Sequence, residues 1–322
     1  MVQRRGILDS SGSNLSGISS HSVEVATVKH QKTQLLIFCL ALLAVFRAEI
    51  TAQTTHGGFA YIAIDVPGAA ATTPNGINNH GEIVGTYLSA LVNTEIHGFI
   101  LRNGVFRTIN FPGAKLGTDA FGVNNHGWIV GDYFVNDLNG GHGYVAVNGE
   151  FRPLNFPDAS ETAALGINDS GEIVGDYINP GGDQHGFRLK DGHFTKIDFP
   201  RASGTVANSI NNAGEIGGFY FDTNGVTHGF LLSRGMFLTI DFPGASSDDV
   251  SGISSVDTAV GGYVLPNGNG NGYLLRRGVF HVIAYPGAAL GSHANGVNDK
   301  GGVVGDYVDS QFVTHGFFAY AR

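Results

Sequence analysis

The sequence predicts an all-β chain: a six-bladed β-propeller of four-stranded antiparallel blades, its ring closed by an N-terminal strand that completes the last blade. Three observations carry this. The segment Gly76–Tyr87 (GINNHGEIVGTY) returns from Gly122, Gly166, Ser209, Gly252 and Gly296, the copy at Gly252 (GISSVDTAVGGY) being eroded. Aligned on Asn78, Asn124, Asn168, Asn211, Ser254 and Asn298, the copies stand 46, 44, 43, 43 and 44 residues apart, close to the ~40–45-residue period of a four-stranded blade. The last copy stops after its third strand, and Tyr61–Gly68 (YIAIDVPG) matches the fourth-strand segment Phe106–Gly113 (FRTINFPG), so the missing strand stands at the opposite end.

Each repeat reads as a meander. The first strand ends in G-I/V-N and the second is E/W-I-V-G-x-Y; between them N-N/D-x-G has the Asn/Asp/Gly chemistry of a tight hairpin with positive φ. The third strand starts at His97, His142, His185, His228 and His315, with Asn271 in repeat five. A second tight turn, such as Asn103-Gly104 or Asp191-Gly192, leads to the fourth strand, F-x-x-I-N/D-F-P. Pro112, Pro157, Pro200, Pro243 and Pro286 close it where a missing N–H harms no ladder. No helical period occurs. Blades are expected at 74–112, 118–157, 162–200, 205–243, 248–286 and 293–322 plus 58–67. A strand borrowed across the termini removes exposed edges, whereas an open solenoid needs polar capping repeats, and the sequence has none.

Residues 1–52 do not share the repeat. Basic and polar residues precede the apolar run Leu35–Phe46 (LLIFCLALLAVF), followed by Arg47 and small residues. This reads as a secretory signal peptide, short for a membrane span of ~20 residues, with cleavage near Ala52; a retained anchor is the rival reading. Residues 53–322 are then one extracellular domain. Cys39, the only cysteine, lies in the apolar run behind Phe38, too bulky for a lipoprotein site. The mature chain therefore has no disulfide or thiolate chemistry and depends on its core, for which its length suffices. Net charge is −9; removing five Lys/Arg and three Asp/Glu leaves 13 against 24, or −11. That argues against nucleic acid, which needs a basic face, and against anionic membranes.

The motifs G-I-N-N-x-G-E-I-V-G-x-Y, H-G-F and I-D-F-P-G-A, recurring in order across residues 58–322, resemble the bacterial extracellular repeat proteins of the HAF family. The resemblance implies an extracellular protein and assigns no reaction and no catalytic residue. Repeat five departs from it, with Ser254-Ser255-Val256-Asp257 in place of N-N-x-G.

One histidine per blade, off the axis, cannot converge on one ion, since zinc takes its nitrogen ligands within ~2.1 Å. Each is expected to hydrogen-bond a neighbouring blade or loop, a role Asn271 can fill with its own donor and acceptor. Asp65, Asn110, Asn155, Asp198 and Asp241 are expected to anchor the corner before F/V-P, with Ala284 in repeat five. Glu82, Glu172 and Glu215 open second strands but give way to Trp128, Thr258 and Gly302 elsewhere. Phe99, Phe106, Phe111 and their copies read as core.

Function should therefore lie where the copies differ. The longer connections (second to third, fourth to first strand) share one face of a propeller and the hairpins share the other. The longer connections carry Glu95, Asp137, Asp158, Glu161, Asp183 and Asp309, while the hairpins carry Arg102, Lys190, Arg234, Arg276 and Arg277. An acidic loop face and a comparatively basic hairpin face follow. Nearest the axis, the position five before the reference residue reads Thr73, Asp119, Ala163, Val206, Asp249 and His293. Asp119, Asp248, Asp249 and His293 are the candidate ligand-binding residues, and Asp119 with Asp249 could hold Ca²⁺, which accepts carboxylates in loose geometry; a solvated rim is the bland alternative. The sequence thus reads as a secreted, monomeric, non-catalytic binding or scaffold module for a glycan, peptide or surface protein. The alternative is a channel-mouth enzyme: a Ca-dependent lactonase or other hydrolase, or a glycosidase, whose two carboxylates would stand ~5 Å or ~6.5–9.5 Å apart. No G-x-S-x-G, H-E-x-x-H or P-loop pattern occurs after residue 52, so no catalytic residue is assigned.

Overall fold

The computed structural model describes residues 45–47, 54–89, 95–135 and 140–322. Cys39, the region around Ala52, Asp137 and most of the apolar run lie outside the described residues. All regular structure described is β, in a propeller arrangement of antiparallel units. Repeat one runs Ala71–Ile77, Ile83–Leu88, Ile96–Arg102 and Val105–Ile109, each strand pairing with the next. The same order recurs from Gly117–Val123 to Glu150–Leu154, from Glu161–Ile167 to His193–Ile197 and from Gly204–Ile210 to Met236–Ile240. The turns take the predicted form, with Gly81, Gly127, Gly171, Gly214 and Gly301 at φ between 74° and 79°.

Five first strands carry a one-residue register shift, as between Pro74 and Gly76 or Ala294 and Gly296. A bulge of this kind re-aims its extra residue. Asn75, Asn208 and Asn295 use it to donate to Ala120, Val250 and Pro74 carbonyls of the following first strand. In repeat five the expected continuous first strand is broken into Ser247–Asp248 and Gly252–Ile253. There the Val250 N–H leaves the ladder and bonds the Gly218 carbonyl of repeat four.

The last repeat consists of Ser292–Val297, Val303–Val308 and Thr314–Ala321, and Phe59–Ile64 pairs antiparallel with Thr314–Ala321 in the fourth-strand place. One further strand, Thr54–His56, pairs outside it, where four strands were expected. Val45–Arg47 lies likewise on Val105–Arg107.

Neighbouring repeats are joined by aromatic stacking. The ring before each corner proline lies flat on the tyrosine of the next second strand: Phe111 on Tyr133 at 3.6 Å, Phe156 on Tyr177 at 3.7 Å, Phe199 on Tyr220 at 3.6 Å, Phe242 on Tyr263 at 3.7 Å and Tyr285 on Tyr307 at 3.8 Å. Behind them Phe99, Tyr144, Phe187, Phe230, Tyr273 and Phe317 are fully buried. The glycine of I-V-G is dictated by this packing: a Cβ at Gly131 would stand 1.9 Å from the Asp119 carbonyl oxygen.

Candidate functional site

At the hairpin end of the axis the N-N/D-x-G turns of successive repeats meet around a small opening lined by Ile77, Asn78, Asn79 and their counterparts. Asn78 Oδ1 accepts the His80 and Glu82 N–H groups at 3.0 Å, shaping its own turn. Its Nδ2 donates to the Asn124 carbonyl of the next repeat at 3.0 Å. The same link runs from Asn124 to Asn168, Asn168 to Asn211, Asn211 to Ser254 and Asn298 to Asn78, at 2.9–3.2 Å. One residue on, the backbone N–H groups of Asn79, Asn125, Asp169 and Asp299 donate to side-chain oxygens of Asn125, Asp169, Asn212 and Asn79, each at 2.8 Å. Asp169 also accepts the Asn125 and Asn212 amides; although burial would raise it, these bonds hold its carboxyl below the ordinary range. This end is a hydrogen-bonded girdle whose polar groups are spent on the fold. The sequence marks these asparagines as repeat and turn residues, not as links between repeats; the signal available was an amide, able to donate and accept at once, in five of six copies.

The loop end carries the predicted residues, and two of the four come together. His293 Nε2 lies 2.9 Å from Asp249 Oδ1, linking repeats five and six. Asp249 also accepts the Gly262 N–H at 3.0 Å and the Ser251 hydroxyl. His293 Nδ1 meets Asn295 Oδ1 at 2.6 Å, and the Asn295 amide donates to Asp306 at 2.8 Å. Burial alone would lower the imidazole pKa, but the charge and hydrogen bond of Asp249 push it up to about 9. Burial likewise opposes ionisation of Asp249, yet His293 holds it below its ordinary value. Asp306 is raised, chiefly by burial.

Asp119 does not join this cluster. Its Oδ1 accepts the Thr86 hydroxyl at 2.7 Å, and its carboxyl is hydrogen-bonded to Asp132, its cross-strand partner. Burial, then the charges of Asp119 and Asp176, raise Asp132 well above the ordinary carboxylate value. The two carboxylates proposed for one site, Asp119 and Asp249, are thus tied to different partners. Asp248 faces away from the mouth. Its carboxylate accepts the Gly229 N–H at 2.8 Å and the Phe242 N–H at 2.6 Å, and burial pushes it up to about 6. Thr72, Thr118, Thr162, Thr205 and Ser292 hold the same corner elsewhere, so Asp248 is a corner residue and not a ligand group. Asp132 and Asp306 went unremarked because G-D-Y reads as template; Thr86, Phe219 and Gly262 at the same register position were the sign that it varies.

Ala163, Leu165, Val206 and Phe219 form one buried cluster, with the partly buried Phe121 and Phe221 against it. Repeats two to four supply this cluster, whereas five, six and one supply a polar wall of Asp249, Ser251, His293, Asn295 and Thr86. The polar wall is no nucleophile–base pair. Ser251 donates to Asp249 rather than to His293, and an imidazole raised to about 9 is protonated at neutral pH and cannot accept a proton there. Calcium takes about six to eight oxygen ligands, but Asp249 spends its oxygens on His293, Ser251 and Gly262. Among the described residues no group of three or more His, Cys, Asp or Glu side chains could hold a metal ion.

Of the two partners expected for the recurring histidines, a neighbouring blade or a loop, the structure shows the second: they bond the corner residue that follows the fourth strand of their own repeat. His97 meets Asn110, His185 meets Asp198 and His228 meets Asp241 at 2.9 Å, and His315 meets Asp65 at 3.1 Å. The reason is register: antiparallel third and fourth strands set the start of one beside the end of the other. In repeat five both partners have changed together, to Asn271 and Ala284. The hairpin cations are partly neutralised, Arg102 by Glu82 at 2.5 Å and Lys190 by Glu172 at 2.7 Å.

No family model matches the chain, and no curated protein does. Solved structures do. A fungal lectin from Aleuria aurantia, described as a six-bladed β-propeller with a novel fucose recognition mode, aligns at 12% identity over 79% of this chain and 92% of its own, TM-score 0.51. An arginine-to-alanine variant of AofleA from Arthrobotrys oligospora aligns at 13% identity over 84% and 90%, TM-score 0.51. TolB from Acinetobacter baumannii aligns at 9% identity over 74% and 63%, TM-score 0.52. At these identities the likeness shows the propeller fold alone.

Proposed function

We propose that this chain is a secreted, non-catalytic binding propeller of the HAF-repeat kind, a closed six-bladed ring that takes a glycan at the loop-end mouth of its axis. The observation that carries the reading is a division by chemistry between the repeats: the partly buried Phe121 and Phe221, backed by the buried Leu165, Val206 and Phe219, come from repeats two to four, and Asp249, His293, Asn295 and Asp306 from repeats five and six. Sugars present apolar C–H faces and hydroxyl edges, and small-ligand sites pair apolar walls with a few fixed polar groups. Here the polar groups are held by their own hydrogen bonds, so little ordering cost falls on binding. A lectin of similar fold recognises fucose, which favours a glycan over a peptide.

Closure is supported by the pairing of Phe59–Ile64 with Thr314–Ala321 and by the bonds from Asn298 and Asp299 to Asn78 and Asn79. The apolar run Leu35–Phe46 and the absence of any thiol after Cys39 support secretion, and Glu95, Asp158, Asp183 and Asp309 support an acidic loop face. A glycan array probed with the purified protein tests the function. Retention of one oligosaccharide class, released intact, is expected. Binding to no glycan, or release of a cleaved product, would overturn it.

A further inference from the structure

The outer strands of the repeats are unequally protected. Val105–Ile109 is overlaid by Val45–Arg47, and Phe59–Ile64 by Thr54–His56, both antiparallel. Glu150–Leu154 carries Glu150, Arg152 and Pro153, and His193–Ile197 carries His193 and Lys196; charges and proline of this kind blunt a free edge. Met236–Ile240 (MFLTI) has no charge, no proline and no covering strand among the described residues. Met236 is 71% and Leu238 60% exposed. Leu238 lies across from Leu231, and Leu231 and Phe280 of the next repeat both pack on the cluster of Ile240, Val250 and Ala259. On the outer strand Val279–Ile283 of that next repeat, Val279 and Val282 are also exposed.

We infer that Met236–Ile240 is a self-association edge, pairing antiparallel with the same strand of a second copy about a two-fold axis. The occupant follows from the strand's own sequence. Pairing centred on Leu238 sets Leu238 against its mate, Met236 against Ile240 and Phe237 against Thr239, so apolar residues meet across the junction and no like charges oppose. An uncharged edge offers nothing to select a charged partner. The overlays at Val105–Ile109 and Phe59–Ile64 show that outer strands of this fold accept a further antiparallel strand. Five residues plus Val282 fall short of the ~1,200 Å² of a stable interface, so the dimer is weak and concentration-dependent, where the sequence alone reads as a monomer.

Sedimentation velocity of the purified protein from about ten micromolar to about one millimolar tests this. The sedimentation coefficient should rise with concentration, and stay flat in Leu238→Lys and in Met236→Glu; both sites are exposed, so both variants fold, as circular dichroism will report. Hydrogen exchange gives a second reading: amides of 236–240 should gain at least about tenfold protection at high concentration. A monomer throughout the range, or a dimer that both variants leave intact, would overturn the inference. The edge lies apart from the mouth, so glycan binding should survive in both variants.

Discussion

His293 Nε2 stands 2.9 Å from Asp249 Oδ1, and this contact ties the first strands of repeats five and six at the loop end of the axis. It is a largely buried ion pair, so its stability depends on pH with a defined sign. His293 is raised to about 9 from 6.5; its stabilisation is complete below the unfolded value and is lost as pH rises through about 9. Asp248, raised from 3.8 to about 6, has the same sign: its contribution is complete below 3.8 and is lost as pH rises through about 6. Asp249, lowered by His293, contributes above its unfolded value and loses that as pH falls. Thermal stability should therefore peak in mildly acidic solution, around pH 4–5, and decline in two stages toward alkaline pH. Calorimetric melting across pH 3 to 10 checks this.

Asp249→Asn leaves the imidazolium without its counter-charge. Breaking a buried pair from one side costs about 3 kcal/mol, and the alkaline stage of the decline should vanish with it. Urea titration at pH 6 and pH 9 measures both effects in one experiment.

The girdle predicts a contrast between repeats. Asn124→Ala removes two accepted N–H bonds and the donation to the Asn168 carbonyl, which should cost about 3 kcal/mol, against under about 1 kcal/mol for Ser254→Ala, whose hydroxyl makes one long contact at 3.3 Å. Ser254→Asn combined with Asp257→Gly, which frees a residue held at φ 54°, should restore the sixth link and add about 1 kcal/mol. Chemical denaturation of the three variants decides it.

A double-mutant cycle on His185 and Asp198 should give a coupling below about 1 kcal/mol, as for other exposed pairs, and neither variant should alter glycan binding. A larger coupling, or lost binding, would give the recurring histidines a role beyond the corner.

Much of this fold could be read from the chain because each repeat states its turns and strand ends in small local motifs. Gly127 and Asn103 need left-handed backbone, and Pro112 ends a strand; neither signal depends on distant residues. The match of Tyr61–Gly68 to Phe106–Gly113 likewise pointed to the pairing with Thr314–Ala321 before any coordinates. The site was less legible because it depends on register. Whether Asp248 or Asp249 faces the axis turns on one residue of strand phase, and repeat five breaks its first strand at that point. The Asp119–Asp132 contact joins residues 13 apart in the chain, across a bulge that spacing alone does not reveal. The asparagine girdle joins residues 43 to 46 apart along the chain and, from Asn298 to Asn78, 220 apart.

Titration calorimetry with the oligosaccharide best retained on the array, set against Phe221→Ala at the loop-end wall and Arg234→Ala on the hairpin face, tests the proposed site most directly. Loss of about tenfold or more in affinity, ~1.4 kcal/mol, in Phe221→Ala with Arg234→Ala unchanged is the predicted result. Unchanged binding in Phe221→Ala, or a loss confined to Arg234→Ala, would place the ligand elsewhere and contradict a loop-end glycan site.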